Sequence, residues 1–311
     1  MGSLQLGELG RVNAFFKKLK IPAGETMQNV FDRVLCGDFE AELVLREIIK
    51  SLFNKFGRRI PKNLAAAVCD ANYNFRLDQP ALTEGVHYAN RILRLHGKLG
   101  VDTGITAKQL KAETERLLEL LKQNEQLANI TNGVHLPLVL PQLTIDDIGD
   151  ELERYLEVVG KSYTEAFPGR EFLNHRKGTL SGQVSIVPDS RQEELRELRR
   201  QGPVIALYFP QATQGFSINA DREQMATLPS EFILPGTEIP IAMIMWADVL
   251  THSYKTPGLD LAALSWKSAD YSLDFWTDDD RLDFGSAGSL RYALGNYSSG
   301  VLYIGELAKA A

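Results

Sequence analysis

The spacing of apolar residues changes from helical to strand-like about halfway along the 311-residue chain. In the first part, apolar residues recur every three or four positions, as they do on one face of an α-helix. Glycine and proline punctuate this pattern, for example at Gly57 and Pro61. The pattern predicts helices over residues 8–19, 39–56, 63–75, 84–100 and 106–130. We therefore expect the first part of the chain to be helical throughout.

The second part begins with an amphipathic helix at residues 144–165, for which Thr144 is the predicted N-cap. Short runs rich in valine, isoleucine and aromatic residues follow, and these are typical of strands. The runs are "VSIV", "VIALYF", "IAMIMW" and "VLYI". Two of them, "VIALYF" and "IAMIMW", are apolar throughout, which favours central strands that are covered on both faces. Further helices are predicted at residues 189–201 and 219–228.

These elements predict an α+β protein of two domains. An all-helical domain would cover residues 1–130, and an α+β domain would cover residues 131–311. The second domain would hold a mixed or antiparallel sheet with two or three covering helices. Residues 1–130 carry 19 basic and 15 acidic side chains, and the rest of the chain carries 15 and 25. The two predicted domains therefore differ in the sign of their net charge.

Residues 271–284 ("YSLDFWTDDDRLDF") alternate between apolar and polar positions on either side of an acidic centre, which predicts a β-hairpin. If residues 277–280 form the loop, the strands face each other in a defined register. The apolar cross-strand pairs on one face would then be Leu273 with Phe284 and Phe275 with Leu282. We expect this face to be buried.

The same register places charged and aromatic side chains on the other face, with Asp274 opposite Asp283 and Trp276 opposite Arg281. Two like charges directly opposite each other destabilise a sheet unless a cation, a basic side chain or a proton offsets them. Asp274 and Asp283 are therefore the candidate catalytic pair, and Trp276 and Arg281 are candidate ligand-binding residues. The alternative is a hairpin whose acidic tip is only solvated.

A second candidate binding site is the basic turn that contains Arg58 and Arg59. With Lys62, Arg91 and Arg94, these residues could bind an anionic surface or ligand. The alternative is a solvated, basic helix end. The net charge of −6 argues against nucleic acid as the partner.

Sequence motifs for other kinds of site are missing. The Gly160–Lys161–Ser162 triplet lacks the preceding glycine of a phosphate-binding loop, since Tyr155 stands there. The five histidines lack metal-ligand spacing, so no metal site is predicted and no cofactor is assigned. Two cysteines are too few for a disulfide framework, and we predict that both lie in helices.

No apolar run reaches the length of about 18 residues that a membrane span needs, and basic residues interrupt the first apolar run. We therefore expect a cytoplasmic protein with no membrane span and no signal peptide.

Two functions are compatible with these observations. The first is a two-domain protein that binds a protein partner or a small ligand without catalysis. The alternative is a hydrolase that uses Asp274 and Asp283 as a carboxylate pair, with or without a divalent cation. Neither hypothesis identifies the ligand, and whether the chain is an enzyme is left open.

Overall fold

The computed structural model of the chain describes residues 51–253, 256–278 and 280–305, together with Asp32 and Cys36. The chain divides into two compact units, Met1–Ser51 and Leu52–Ala311. The elements defined below belong to the second unit.

The α-helices of this unit are α1 (Gly85–Leu99), α2 (Ala107–Gln123), α3 (Ile148–Ala166), α4 (Gln192–Gln201), α5 (Ile218–Gln224) and α6 (Glu238–Leu250). Short 3₁₀ segments lie at Ala128–Asn132 and Met225–Thr227. The strands are β1 (Leu136–Leu140), β2 (Glu171–Asn174), β3 (Val184–Ile186), β4 (Val204–Phe209), β5 (Phe232–Ile233), β6 (Gly258–Asp260), β7 (Leu264–Trp266), β8 (Ser272–Asp278), β9 (Arg281–Ala287), β10 (Tyr297–Ser298) and β11 (Val301–Tyr303).

The strands form two larger sheets and one isolated pair. The first sheet has the order β1-β4-β11-β5 and is antiparallel throughout. The second has the order β10-β6-β8-β9-β2, with antiparallel pairs in the centre and a parallel pair at each edge. Strands β3 and β7 pair separately. The predicted α+β class is confirmed.

Helices α1 and α2 pack in the same unit as the sheets. Helix α1 contacts α3 and α6, and α2 contacts β4 and β1. The domain boundary predicted between residues 130 and 131 falls inside this unit. It stays a prediction, because contact between two segments does not decide whether each of them can fold alone.

The helices predicted at 84–100 and 106–130 are confirmed as α1 and α2, although α2 ends at Gln123. The predicted helix at 8–19 lies outside the described residues, as do residues 39–50 of the helix predicted at 39–56. Residues 51–56 are described and are not helical.

Helix α3 confirms the amphipathic helix predicted at 144–165, but Asp147 and not Thr144 is its N-cap. The Asp147 carboxylate accepts a hydrogen bond from the Asp150 amide at 2.8 Å. It also accepts one from the amide of Gly182, at 3.2 Å. The bond from Asp150 makes Asp147 the N-cap, whereas the contact with Gly182, which is distant in sequence, is one that local sequence does not reveal.

The prediction of a strand at "IAMIMW" is wrong, because this run lies in α6. All of its side chains are buried, against α3, α1 and β1. A helix that is covered on every side has no polar stripe, so periodicity does not distinguish it from a central strand.

The helix predicted at 63–75 is also wrong. This segment is irregular, and its backbone pairs with a distant loop. The Cys69 amide donates to the Gly215 carbonyl at 2.8 Å, and Val68 forms a bridge with Phe216. These long-range hydrogen bonds replace the local ones that a helix would form, so Cys69 does not lie in a helix.

The strands predicted at "VSIV", "VIALYF" and "VLYI" are confirmed as β3, β4 and β11. The helices predicted at 189–201 and 219–228 are confirmed as α4 and α5, with shorter bounds.

Strands β8 and β9 form the predicted hairpin, but its register differs from the predicted one. Only residues 279–280 connect the strands, so Phe275 pairs with Phe284 and not with Leu282. Every residue of β8 therefore pairs two positions further along β9. Since a shift of two positions keeps each side chain on its own face, the apolar face is the predicted one.

The predicted direct opposition of Asp274 and Asp283 is wrong, and so is that of Trp276 and Arg281. Asp274 lies opposite Gly285, and Trp276 lies opposite Asp283. The two aspartates are diagonal neighbours on one face of the sheet. At the tip, Asp278 and Asp280 are exposed, whereas Asp279 lies outside the described residues.

No helix among the described residues combines the length and the apolar character that crossing a membrane requires.

Candidate functional site

The two faces of the second sheet differ in chemistry because side chains alternate along each strand. One face carries apolar residues that are completely buried in the core: Leu273, Phe275, Leu282 and Phe284. The other face carries ionisable and aromatic side chains. We call this second surface the carboxyl face, and it comprises Asp260, Asp274, Trp276, Asp283 and Tyr297.

The carboxyl face contains two aspartates that lie directly opposite each other. Asp260 on β6 pairs with Asp274 on β8. The neighbouring amide of Leu261 donates to the Leu273 carbonyl at 2.8 Å, so the aspartates occupy the closer, non-hydrogen-bonded type of pair, with Cα atoms about 4.5 Å apart. Asp274 therefore does lie opposite another aspartate, but that residue is Asp260 and not the predicted Asp283.

Neither of these two carboxyl groups has a partner among the described residues. Asp260 is 5% exposed and Asp274 is 6% exposed. No described residue forms a hydrogen bond or an ion pair with either carboxyl group. The Oδ1 atom of Asp274 is buried and has no hydrogen-bond partner. Such groups are rare in folded proteins, because a lost hydrogen bond costs about 1 to 3 kcal/mol.

Burial favours the neutral forms of both aspartates, and the charge of Asp274 adds to this effect on Asp260. Burial raises the pKa of Asp274 to about 7, and the charge of Arg176 opposes this only in part. Burial also raises the pKa of Asp260 well above its usual range, and the charges of Asp274 and Asp221 add to the effect. The pair therefore holds at least one proton at neutral pH.

Two aromatic rings lie beside this pair, each over a glycine of the adjacent strand. A Cβ atom on Gly258 would lie 2.5 Å from the ring of Tyr297, and one on Gly285 would lie 2.9 Å from the ring of Trp276. Both aromatic side chains are half-buried. Burial, followed by the charges of the paired aspartates, raises the pKa of the Tyr297 hydroxyl. Glycine is needed at both positions for the rings to lie flat on the sheet.

Asp283 has a different environment, because both of its oxygens accept hydrogen bonds. Nε of Arg281 donates to Oδ2 at 2.7 Å, and Nε2 of His175 lies 2.7 Å from Oδ1. Asp283 is completely buried, whereas the His175 side chain is 40% exposed. The imidazole also stacks on Trp276, with ring centroids 5.8 Å apart. Arg281 therefore supplies a positive charge, and His175 a hydrogen bond, to the one aspartate on this face that has partners.

Of the residues predicted from sequence, Asp274, Asp283, Trp276 and Arg281 lie together on or beside the carboxyl face. Arg58 and Arg59 lie elsewhere, and neither belongs to a solvated helix end.

Both of these arginines are buried, with exposed fractions of 8% and 2%. Arg58 donates to the carbonyls of Gln214, at 2.5 Å, and Cys69. Arg59 donates to the carbonyl of Leu52 at 2.8 Å, and burial lowers its pKa to about 10. These contacts join loops of the unit, and ligand binding by Arg58 and Arg59 stays a prediction.

Sequence reasoning missed Asp260, His175 and the placement of Tyr297. The stretch "GLDLA" around Asp260 offers one signal, since an aspartate between two leucines alternates like a strand with a polar inner position. The pairing with Asp274 joins residues 14 positions apart through strand register, which no local motif encodes.

A groove of about 420 Å³ lies on the surface of α1, away from the carboxyl face. The charged groups that line it are already paired: Lys98 with Glu165, and Arg94 with Asp248 at 2.6 Å. Its charged side chains are therefore already compensated by the protein.

The carboxyl face can bind hydrogen-bond donors, exchange a proton near neutral pH and stack a ligand against aromatic rings. Within the described part of the chain, no three histidine, cysteine, aspartate or glutamate side chains are arranged to hold a metal ion. No family model, curated protein or solved structure with which the chain was compared matches it.

Proposed function

We propose that this protein binds a small ligand on the carboxyl face without catalysing a reaction. The observation that carries the proposal is the pair Asp260 and Asp274, whose carboxyl groups have no donor among the described residues. A ligand that supplies a donor would remove the cost of leaving the buried Oδ1 atom of Asp274 unsatisfied. Trp276 and Tyr297 would cover the ligand from either side.

Several features support a small ligand over a protein partner. The two carboxyl groups are more than nine-tenths buried, so a flat protein surface would not reach them. Small-molecule sites combine apolar walls with a few polar groups that fix orientation. The half-buried rings and the recessed aspartates have this character.

A hydrolase is the second candidate, and one observation favours it. Asp274 has a pKa of about 7, which suits a general acid, and Asp283 is its diagonal neighbour, with Cα atoms roughly 7 to 8 Å apart. Two carboxyl groups on one face are the groups that a glycosidase uses. Against this function, both oxygens of Asp283 already accept hydrogen bonds, so Asp283 is not free to activate water. Binding is therefore the better supported proposal.

We also propose a cytoplasmic location, with a ligand that is not a nucleic acid. Cys36 and Cys69 are both free thiols, which fits a reducing compartment. The net charge of −6 and the acidic character of the carboxyl face would repel phosphate groups.

Trp276 provides a direct probe of binding, because the chain has only three tryptophans. Trp246 and Trp266 are buried, with exposed fractions of 1% and 7%, whereas Trp276 lies at the site. In protein labelled with 5-fluorotryptophan, the variant Trp276→Phe assigns the third ¹⁹F resonance. We expect a ligand from a panel of amines, sugars, carboxylates and divalent salts to shift that resonance alone.

The variant Asp274→Asn should abolish this shift. Asp278→Asn, which changes an exposed aspartate on the same strand, is the matched control and should leave the shift intact. If no compound moves the Trp276 resonance, or if Asp274→Asn responds like the wild type, the proposed function is wrong. Calorimetry with Mg²⁺, Mn²⁺ and Ca²⁺ tests the metal-assisted hydrolase, for which our proposal predicts no binding.

A further inference from the structure

We propose that the ligand of the carboxyl face carries a primary ammonium group, which binds between Asp260 and Asp274 with its alkyl chain against Tyr297 and Trp276. This inference rests on the proposed function and specifies the chemical class of the ligand. It follows from a comparison with the other buried acidic side chains, which have partners within the protein.

The other fully described buried acids are compensated by the protein itself. Glu151 binds Arg196 and Arg199 at 2.5 and 2.6 Å. Glu238 lies 3.5 Å from Arg199, and the hydrogen-bond partners of Asp283 include Arg281.

Asp221 is the remaining compensated acid, and it uses neutral donors. The Ser299 hydroxyl donates to it at 2.6 Å, and the amide of Gln224 donates at 3.2 Å. Among the buried acids that the structure describes, Asp260 and Asp274 therefore differ from the rest, and they lie side by side. The partner that these two aspartates lack is therefore a positively charged group with several hydrogen-bond donors.

A primary ammonium group meets the requirements of this position. It has one positive charge and three N–H donors, enough to reach the unsatisfied Oδ1 atom of Asp274 and the carboxyl group of Asp260. The half-buried rings of Tyr297 and Trp276 lie beside the pair, and aromatic rings attract organic cations through their ring electrons. Ca²⁺ would need six to eight oxygen ligands, and the described residues include no group of three or more histidine, cysteine, aspartate or glutamate side chains that could hold a metal ion.

The charged groups near Asp260 and Asp274 do not include a basic side chain that pairs with either carboxyl group among the described residues. Arg176 is the basic group whose charge lowers the pKa of Asp274. Its Nη2 donates to the Ser286 hydroxyl at 2.7 Å and its guanidinium lies over the ring of Trp266. Its buried Nε has no hydrogen-bond partner among the described residues, and the side chain forms no ion pair with Asp274. Asp260 also interacts electrostatically with Asp221 and Tyr208. Burial raises the pKa of Tyr208, and the charges of Asp221 and Asp260 raise it further.

Binding of an ammonium ion should therefore be linked to proton release. The pair holds a proton at neutral pH, and a cation between the carboxyl groups favours their ionised forms. Affinity should rise with pH and should weaken about tenfold for each pH unit below 7 if one proton is released. A neutral ligand would not show this dependence.

Butylammonium chloride is the probe, and 1-butanol is its neutral counterpart of similar shape. Both are titrated into 5-fluorotryptophan-labelled full-length protein at pH 6, 7 and 8, with the Trp276 resonance as the readout. We expect saturable binding of butylammonium that strengthens with pH, and no saturable binding of 1-butanol. Asp260→Asn and Asp274→Asn should each weaken binding by tenfold or more, whereas Asp278→Asn should not change it.

The inference is overturned if butylammonium fails to bind, if 1-butanol binds equally well, if affinity is independent of pH, or if Mg²⁺ or Ca²⁺ competes for the site. Asp260→Asn and Asp274→Asn serve as two independent variants, so misfolding of one leaves the test intact. If a neutral or anionic compound shifts the Trp276 resonance and depends on Asp274, the ammonium class is wrong and the proposed function stands. If no compound shifts it, both fail.

Discussion

Replacing Asp274 by asparagine should change how the stability of the protein depends on pH. In the folded state the pKa of Asp274 is about 7, against an ordinary value of 3.8. A carboxyl group whose pKa is raised on folding stabilises the fold below its unfolded pKa, and that contribution is lost as pH rises through the folded pKa. The window of change therefore runs from about pH 4 to about pH 7.

The size of the effect follows from the shift. Each pH unit in this window lowers the free energy of unfolding by about 1.4 kcal/mol. Over the full window the loss is about 4 kcal/mol. Asparagine has a similar shape and does not titrate, so it removes this dependence. It also removes the repulsion that acts on Asp260. We therefore expect the stability of Asp274→Asn relative to the wild type to increase by about 3 kcal/mol between pH 4.5 and pH 7.

Urea unfolding of the full-length protein at half-unit steps from pH 4.5 to pH 8 measures this difference. The control is Asp278→Asn, since Asp278 is exposed near the hairpin tip, and its curve should parallel that of the wild type. If the Asp274→Asn curve also parallels the wild type, Asp274 is not a buried, uncompensated acid, and the reasoning about the carboxyl face fails.

Four further substitutions test the packing around the site. Phe275→Ala should destabilise the protein by about 3 to 5 kcal/mol in urea unfolding, because the side chain is completely buried; a loss below about 1 kcal/mol would contradict the hairpin core. Asp283→Asn should lower stability by about 1 to 3 kcal/mol, since it leaves its basic partners without a charged acceptor; a gain in stability would mean that these contacts do not form. Glu151→Gln should cost about 3 to 5 kcal/mol, because two buried arginines would lose their carboxylate, and an unchanged unfolding midpoint would refute that ion pairing. Gly285→Ala should shift the ¹⁹F resonance of Trp276, since the new methyl group would lie 2.9 Å from the ring; an unchanged resonance would contradict the ring's placement over the sheet.

The elements that the sequence predicts correctly are those in which the spacing of apolar residues shows which sides of the element are buried. Helix α3 has an apolar stripe because only one side faces the core, so its period of 3.6 is visible. Strand β4 is short and apolar because both of its faces are covered. The run "IAMIMW" in helix α6 is buried throughout, so its sequence resembles a central strand and predicts one wrongly.

Only part of the candidate site can be predicted from the sequence, because alternation shows which face a side chain occupies but not which residue lies opposite it. The faces of the hairpin follow from the alternation of residues alone, and Asp274, Trp276 and Asp283 were found in this way. The register depends on the length of the loop, which composition does not determine. The partner of Asp274, namely Asp260, comes from another strand, so only the folded chain brings the two together.

The most direct test of the central claim is a crystal structure of the protein with the compound that shifts the Trp276 resonance. We expect that compound to lie between the rings of Trp276 and Tyr297, with a donor within about 3 Å of Oδ1 of Asp274. A structure in which Asp260 and Asp274 accept hydrogen bonds from the protein itself, or in which the compound lies away from them, would contradict the proposed binding site.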